Sequence, residues 1–414
     1  MRLARRLLLS ALLAATAATA QAPAAPETRA LSSRQYTEDF DAMWRAIDAG
    51  DAYLDRGRQG WRRARDAWRP RAAKAATRAQ FVAALEGALA LLRDDHASLS
   101  ESTPGSRRRV PAETDLWAAW KDGAATIEAV RTYSDADVAG LHPGQVVTRI
   151  GAVPVERAVR EVLGAGSTGA SERDWALRHA LAGPRVGTLR VEVSEGRGLR
   201  THEVERAAAR AANGAPLIGR RMGEDRDLGY IRIKAPLTDA ALPAQLDGAL
   251  NYLKDTRALI LDLREVGPAG SHDVTRAIIG RFVEAEAPWQ VRESRAGARS
   301  VDTVAPRGTA YRAPVVVLVD RWTAGEGEAL ATGMNAAAKA RLVGTPMAGL
   351  RGELAEVRLP HSGIVVRFPG QRTLHPDGTP RELVRPSVPV NLSAPQGGPG
   401  DPILYQALKL LERK

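Results

Sequence analysis

The spacing of hydrophobic positions changes twice along the chain, and each change marks a different kind of element. Phe40, Met43, Trp44 and Ile47 recur at i, i+3, i+4 and i+7, one face of a helix. A second helix is expected to carry Trp61 and Trp68. A third opens on Thr77 with Gln80 three residues on, a capping box, and aligns Phe81, Leu85, Leu89 and Leu92. These aromatic and leucine stripes read as core. From about residue 105 the pattern shortens. Turns at Gly140-Leu141 and Pro143-Gly144 precede the runs Val146 to Ile150 and Val153 to Val155, and Leu189, Val191 and Val193 alternate as a half-buried strand does. A small β domain is expected there.

From about residue 215 strands and helices alternate. Leu228 to Ala235 reads as a strand, and Leu242, Leu246, Leu250 and Leu253 as a helical stripe. Ala258 to Leu263 and Pro314 to Asp320 are continuous apolar runs, the pattern of strands covered on both faces. A helix is expected from Gly325 to Lys339, strands over Leu354 to Leu359 and Ile364 to Phe368, and a final helix over Asp401 to Lys414. This is an α/β pattern with a mixed sheet, and no internal repeat interrupts it.

The ends of the chain and its composition narrow the setting. Met1 to Arg6 carries three arginines, Leu7 to Ala15 is a short apolar run, and Ala18-Thr19-Ala20 offers a small-residue cleavage site. That is the pattern of a secretory signal peptide, over residues 1–20, followed by a flexible Ala/Pro/Ser-rich leader at 21–33. An exported protein, periplasmic or extracellular, is expected, with no membrane-spanning segment after signal removal. There are no cysteines among 414 residues, which excludes disulfides, thiolate metal sites and cysteine nucleophiles. The histidines are dispersed without a His-x-x-x-His pair, so no metal and no cofactor are expected. The net charge of +11 is mostly scattered arginine, with Arg107-Arg108-Arg109 as a short run; it reads as a solvated surface, and nucleic acid is not an expected partner.

In open α/β sheets ligands bind at the carboxyl ends of strands. Two such ends stand out: Asp262-Leu263-Arg264-Glu265-Val266-Gly267 and Asp320 to Glu328. The second turns from strand into helix, so its free N–H groups suit a developing oxyanion, although an ordinary strand–helix turn has the same pattern. Glu326 and Glu328 read as acids favoured at a helix N-terminus rather than as carboxylate catalysts or metal ligands.

Five stretches together carry a resemblance: Leu92-Arg93-Asp94-Asp95-His96, the segment at Gly140, Gly229 to Ile233, Leu259 to Arg264, and Thr323-Ala324-Gly325-x-x-Glu328. From Tyr36 onward their order resembles the tail-specific (C-terminal-processing) serine protease family, including its tricorn-core relatives. The resemblance implies a crotonase-like mixed-sheet α/β core at 213–395, a helical N-terminal cap at 34–104, a PDZ-like β domain at 105–212 and a C-terminal helix at 396–414. In the PDZ-like stretch Gln145 replaces an acid and Ala152 a glycine. It implies either a peptide site at Gly140 and Leu141, gained by adding a strand to a sheet edge, or a rigid spacer.

The family's catalytic residues transfer only in part. Its motif Thr-Ala-Ser-x-x-Glu has Gly325 here at the nucleophile, and glycine has no side chain to attack a carbonyl. His96 matches the general base of the tricorn-like branch, with Glu382 in the place of the accompanying glutamate; the lysine base of the other branch is Leu350. The oxyanion region at Gly267, Pro268 and Glu326 departs too, with Val266 for an asparagine and Pro268-Ala269 for two glycines. The resemblance therefore implies a serine-peptidase homologue that binds peptide or unfolded protein, with its nucleophile and oxyanion motifs degraded. Two alternatives stay open: an active peptidase that uses Ser271 with His96 as base, and a cell-envelope scaffold that binds anionic polymer.

Overall fold

The computed structural model describes residues 31–54, 58–164, 169–196, 198–205, 215–393 and 400–412. The expected signal peptide and all but the last residues of the expected leader lie outside the described residues. Ser33 is already helical, because Ser32 caps the helix Ser33–Gly50 by accepting from the Gln35 N–H.

A six-stranded sheet forms the centre. Its order is Val388–Pro389, Arg341–Gly344, Val315–Val319, Ala258–Asp262, Leu228–Ile233 and Leu217–Met222. All neighbours are parallel except the last pair, where the edge strand Leu217–Met222 runs antiparallel. Ala258–Asp262 is buried at every position, because both faces are covered. Ile231, Leu259, Leu261, Val317 and Val319 pack with the helices Leu242–Tyr252, His272–Ile279 and Glu326–Ala337. Tyr230, Ile260, Val316 and Leu318 face Ile403 and Ala407 of the helix Pro402–Leu410. The helix His272–Ile279, which buries Val274, Ile278 and Ile279, is not among the elements expected from the sequence.

A second, antiparallel sheet joins Ser98–Leu99, Val365–Leu374, Ala287–Ser294 and Arg299–Val304, with Glu353–Arg358 also on Val365–Leu374. The cap helices Ser33–Gly50, Arg58–Ala73 and Arg78–Leu89 share one core with this sheet: Phe40, Met43, Ile47, Phe81 and Leu85 meet Leu359, Ile364, Val366 and Phe368. The cap is thus completed by strands that follow it by more than two hundred residues.

The insert is an antiparallel sheet in the order Leu116–Lys121, Ala124–Val130, Val146–Ile150, Thr188–Glu195 and Gly198–Glu205, with the short Val153–Pro154 on Val146–Ile150. Helices Val155–Leu163 and Ala170–Ala182 close its core. The insert grips the central sheet through Arg321 and Trp322, just past the end of Val315–Val319. Arg321 pairs with Glu128 at 2.6 Å. The Trp322 indole N–H donates to the Thr114 carbonyl at 2.8 Å, and its ring is buried with Val110, Trp117, Ala129 and Ala182.

Candidate active site

The strand Val315–Val319 turns into the helix Glu326–Ala337 through Asp320 to Gly325. Asp320 holds the turn: its Oδ1 accepts from the N–H groups of Glu265, Trp322 and Thr323. Thr323 is buried, its hydroxyl donating to the Leu263 carbonyl at 3.0 Å. Gly325 sits at φ 53°, ψ −108°, a conformation that side-chain-bearing residues seldom adopt. A Cβ there would lie 2.8 Å from both Cα and Cβ of Pro268 and 3.0 Å from its carbonyl oxygen. The position lacks a hydroxyl, and the loop Val266–Gly270 occupies the space a hydroxyl-bearing side chain needs.

Two hydrogen bonds fasten that loop to the turn. Ala324 N–H donates to the Val266 carbonyl at 3.0 Å, and Glu326 N–H donates to the Pro268 carbonyl at 3.3 Å. The N–H that follows the nucleophile position therefore already has a carbonyl partner. The approach also forces glycine at 327, where a Cβ would meet the Val266 carbonyl at 2.3 Å. Gly267, part of the expected oxyanion region, lies in the same loop, half-buried. Pro268 contributes an acceptor to the turn and has no N–H to donate.

Glu328 is fully buried beneath the turn. Its carboxylate accepts from the N–H groups of Gly325 (2.9 Å), Gly349 (2.8 Å) and Leu350 (3.1 Å). Burial pushes its pKa up to about 7 against the pull of Arg381 and the three donors. Glu326 points elsewhere: it accepts the Thr275 hydroxyl at 2.5 Å and lies 3.5 Å from His272, which is itself 3.7 Å from Glu353.

The loop tied down by Glu328 also orients His96. Arg351 follows Leu350, and its carbonyl accepts from the His96 Nδ1 at 2.7 Å. A carbonyl only accepts, so Nδ1 carries the proton and Nε2 is left as the basic nitrogen. Burial lowers the His96 pKa to about 4, which keeps the ring neutral. Neighbouring Asp94 is pushed up to about 7, also by burial. Glu382 lies in a half-buried turn on the other side of the same loop, where Arg381 donates to the Gly352 carbonyl at 2.7 Å. Among the described residues no hydrogen bond joins Glu382 to His96; the imidazole proton goes to Arg351 instead.

Among the described residues no hydroxyl hydrogen-bonds His96 either. Ser271, the alternative nucleophile, caps the helix His272–Ile279, its Oγ accepting from the Asp273 N–H at 3.3 Å. The Ser271–His96 pairing that the sequence left open is thus not assembled.

The peptide site expected at Gly140 and Leu141 falls on one exposed and one buried residue. Leu141 is 1% exposed, inside the insert's core, and Gly140 forms the left-handed turn before it, at φ 86°. On one of the insert's two edge strands, Leu116–Lys121, the Trp120 N–H is taken: Asp174 of the helix Ala170–Ala182 accepts it at 2.7 Å. The same helix grips the His96 segment. His179 Nε2 meets Asp95 at 2.7 Å, and Glu172 pairs with Arg93. Asp95 is buried, which alone would raise its pKa, but the His179 hydrogen bond holds it below the usual carboxylate range. Nothing in the sequence flagged Asp174 or His179, because both act across a fold-level contact.

Among the described residues no cluster of three or more His, Asp or Glu side chains is placed to hold a metal ion, and no helix is long and apolar enough to cross a membrane. The core thus combines a mostly parallel sheet, a strand–helix turn at its carboxyl edge, a buried histidine and a β insert. Residues 227–390 match the model of Peptidase family S41. Its fold is similar to that of a photosystem II D1 C-terminal processing protease (20% identity, TM-score 0.56, 86% of this chain and 93% of that one). It is also similar to mature CPAF (14%, TM-score 0.59, 86% and 92%) and to a lipoprotein from Streptococcus agalactiae (13%, TM-score 0.50, 92% and 96%). At such identities the likeness concerns the fold. No curated protein matches the chain.

Proposed function

We propose that this chain is an exported tail-specific peptidase homologue that binds peptide or unfolded protein without hydrolysing it. The observation that carries the reading is the Pro268 carbonyl on the Glu326 N–H, with the body of Pro268 against the site of a Gly325 side chain. An acyl-transfer site needs a nucleophile and donors converging on one point. Here a proline stands where the first would project, and its carbonyl takes a donor that the second would use. Loss of one oxyanion donor alone costs about 100-fold or more in rate, and loss of the nucleophile on the order of a million-fold. The family and its processing-protease neighbours support a polypeptide ligand.

The test is incubation of the purified chain with a fluorescent, permanently unfolded protein, following anisotropy for binding and gel electrophoresis for cleavage. Saturable binding without fragments is expected. Fragments that disappear with His96→Ala would overturn the non-hydrolysing reading, and absence of binding would overturn the ligand class.

A further inference from the structure

The positive charge is less scattered than its spacing in the sequence suggests. The helix Arg58–Ala73 holds six arginines and one acid, Asp66. Trp61, Ala64 and Ala72 turn to the core, which sends the charged positions outward together. Arg62, Arg63, Arg65 and Arg71 are exposed, and Lys74 follows them. Asp41 on the neighbouring helix holds Arg69 in two 2.8 Å hydrogen bonds and lies 3.8 Å from Arg65. Among the described residues no carboxylate pairs with Arg62, Arg63, Arg71 or Lys74.

A second observation concerns what lies between these cations. The Arg65 guanidinium stands 5.0 Å over the Trp44 ring and that of Arg71 4.3 Å over Trp68, and both indoles are half-buried. Both indoles pack against the cap's core, so they back the guanidiniums from the protein side and hold a cationic face outward, complementary in charge to a layer of anionic headgroups. We propose that the outer face of the helix Arg58–Ala73 docks this protein on an anionic phospholipid bilayer. This goes beyond the reading of the catalytic turn and does not depend on it.

The test is co-sedimentation of the full chain with vesicles of phosphatidylcholine alone and of phosphatidylcholine with an equal share of phosphatidylglycerol. Binding is expected only with phosphatidylglycerol, and to weaken steeply with salt. Each cation at the surface contributes roughly a five-fold gain in partitioning, so Arg62→Gln/Arg63→Gln/Arg71→Gln should reduce it about 100-fold. A triple variant of equal charge change elsewhere, Arg190→Gln/Arg200→Gln/Arg220→Gln, should change it by no more than a few-fold. Equal loss in both triples would assign the effect to net charge and overturn the site. Capture of soluble polyphosphate without vesicle binding would overturn the bilayer as partner. Should the first triple misfold, as far-UV circular dichroism would show, the lipid and salt dependence of the native chain still decides.

Discussion

Restoring serine at position 325 is the obvious way to ask whether the turn is a protease lacking one atom group, and the structure argues that it is not. In Gly325→Ser the new Cβ arrives 2.8 Å from Pro268 Cα and Cβ, well inside van der Waals contact. The backbone at φ 53°, ψ −108° is strained for any residue with a side chain, at about 1–3 kcal/mol. Overpacking against a loop fixed by two hydrogen bonds adds about 1–3 kcal/mol. The sum, about 2–6 kcal/mol, is a large share of an ordinary domain's stability. Thermal unfolding followed by circular dichroism should show the midpoint falling by at least ~4 °C, with no peptidase activity gained. Pairing the change with Pro268→Gly frees the loop to retreat, so part of the loss should return as a coupling of about 1–3 kcal/mol. A Gly325→Ser protein as stable as the parent and able to cleave an unfolded substrate would refute the reasoning.

Three further outcomes are expected. His96 titrates near 4 when folded against an ordinary 6.5, so its contribution to stability is whole above pH 6.5 and is lost as pH falls toward 4. Asp94 and Glu328, raised to about 7, act in the opposite sense, losing stability as pH rises toward 7. Urea unfolding should therefore show the advantage of the native chain over His96→Gln growing by up to about 3 kcal/mol between pH 4 and 6.5; a constant difference would count against a buried neutral ring. Asp174→Ala leaves the Trp120 N–H without its carboxylate, at a cost of about 1–3 kcal/mol, and amide exchange at Trp120 should accelerate while Ala258–Asp262 stays protected. Trp322→Ala removes the ring shared by insert and central sheet, a loss of about 3–5 kcal/mol, and should speed exchange across Leu116–Val130; unchanged exchange there would mean that the two units are held by something else.

The central sheet was legible because burial on both faces leaves an unbroken apolar run, as in Val315–Val319, and the cap helices because their stripes repeat at helical spacing. Strands such as Ala287–Ser294 and Arg299–Val304 escaped notice. Their partners are far away in sequence, and paired charges such as Arg292 with Asp302 interrupt the alternation. At the candidate site the resemblance pointed to Gly325, Pro268 and His96. It carried no sign that Pro268 folds back on Gly325, that Glu382 and His96 make no hydrogen bond, or that Asp174 takes the Trp120 N–H at one edge of the insert. Each of these depends on the distance between segments that a linear pattern leaves unspecified. The arginines of Arg58–Ala73 show the converse: they were visible as letters, and their density became apparent only once they were wound onto a helix.

Glu328 holds the N–H of Gly325 and those of Gly349 and Leu350 with one carboxylate. The shape of the turn is therefore guaranteed by an acid three residues downstream, whatever the turn presents to solvent. Thr323 and Glu328 are the letters by which such a turn is noticed, and both are occupied with architecture. The letters around position 325 serve this turn's shape whether or not the position carries a reactive group. Scoring a sequence by those letters measures foldability and is blind to chemistry.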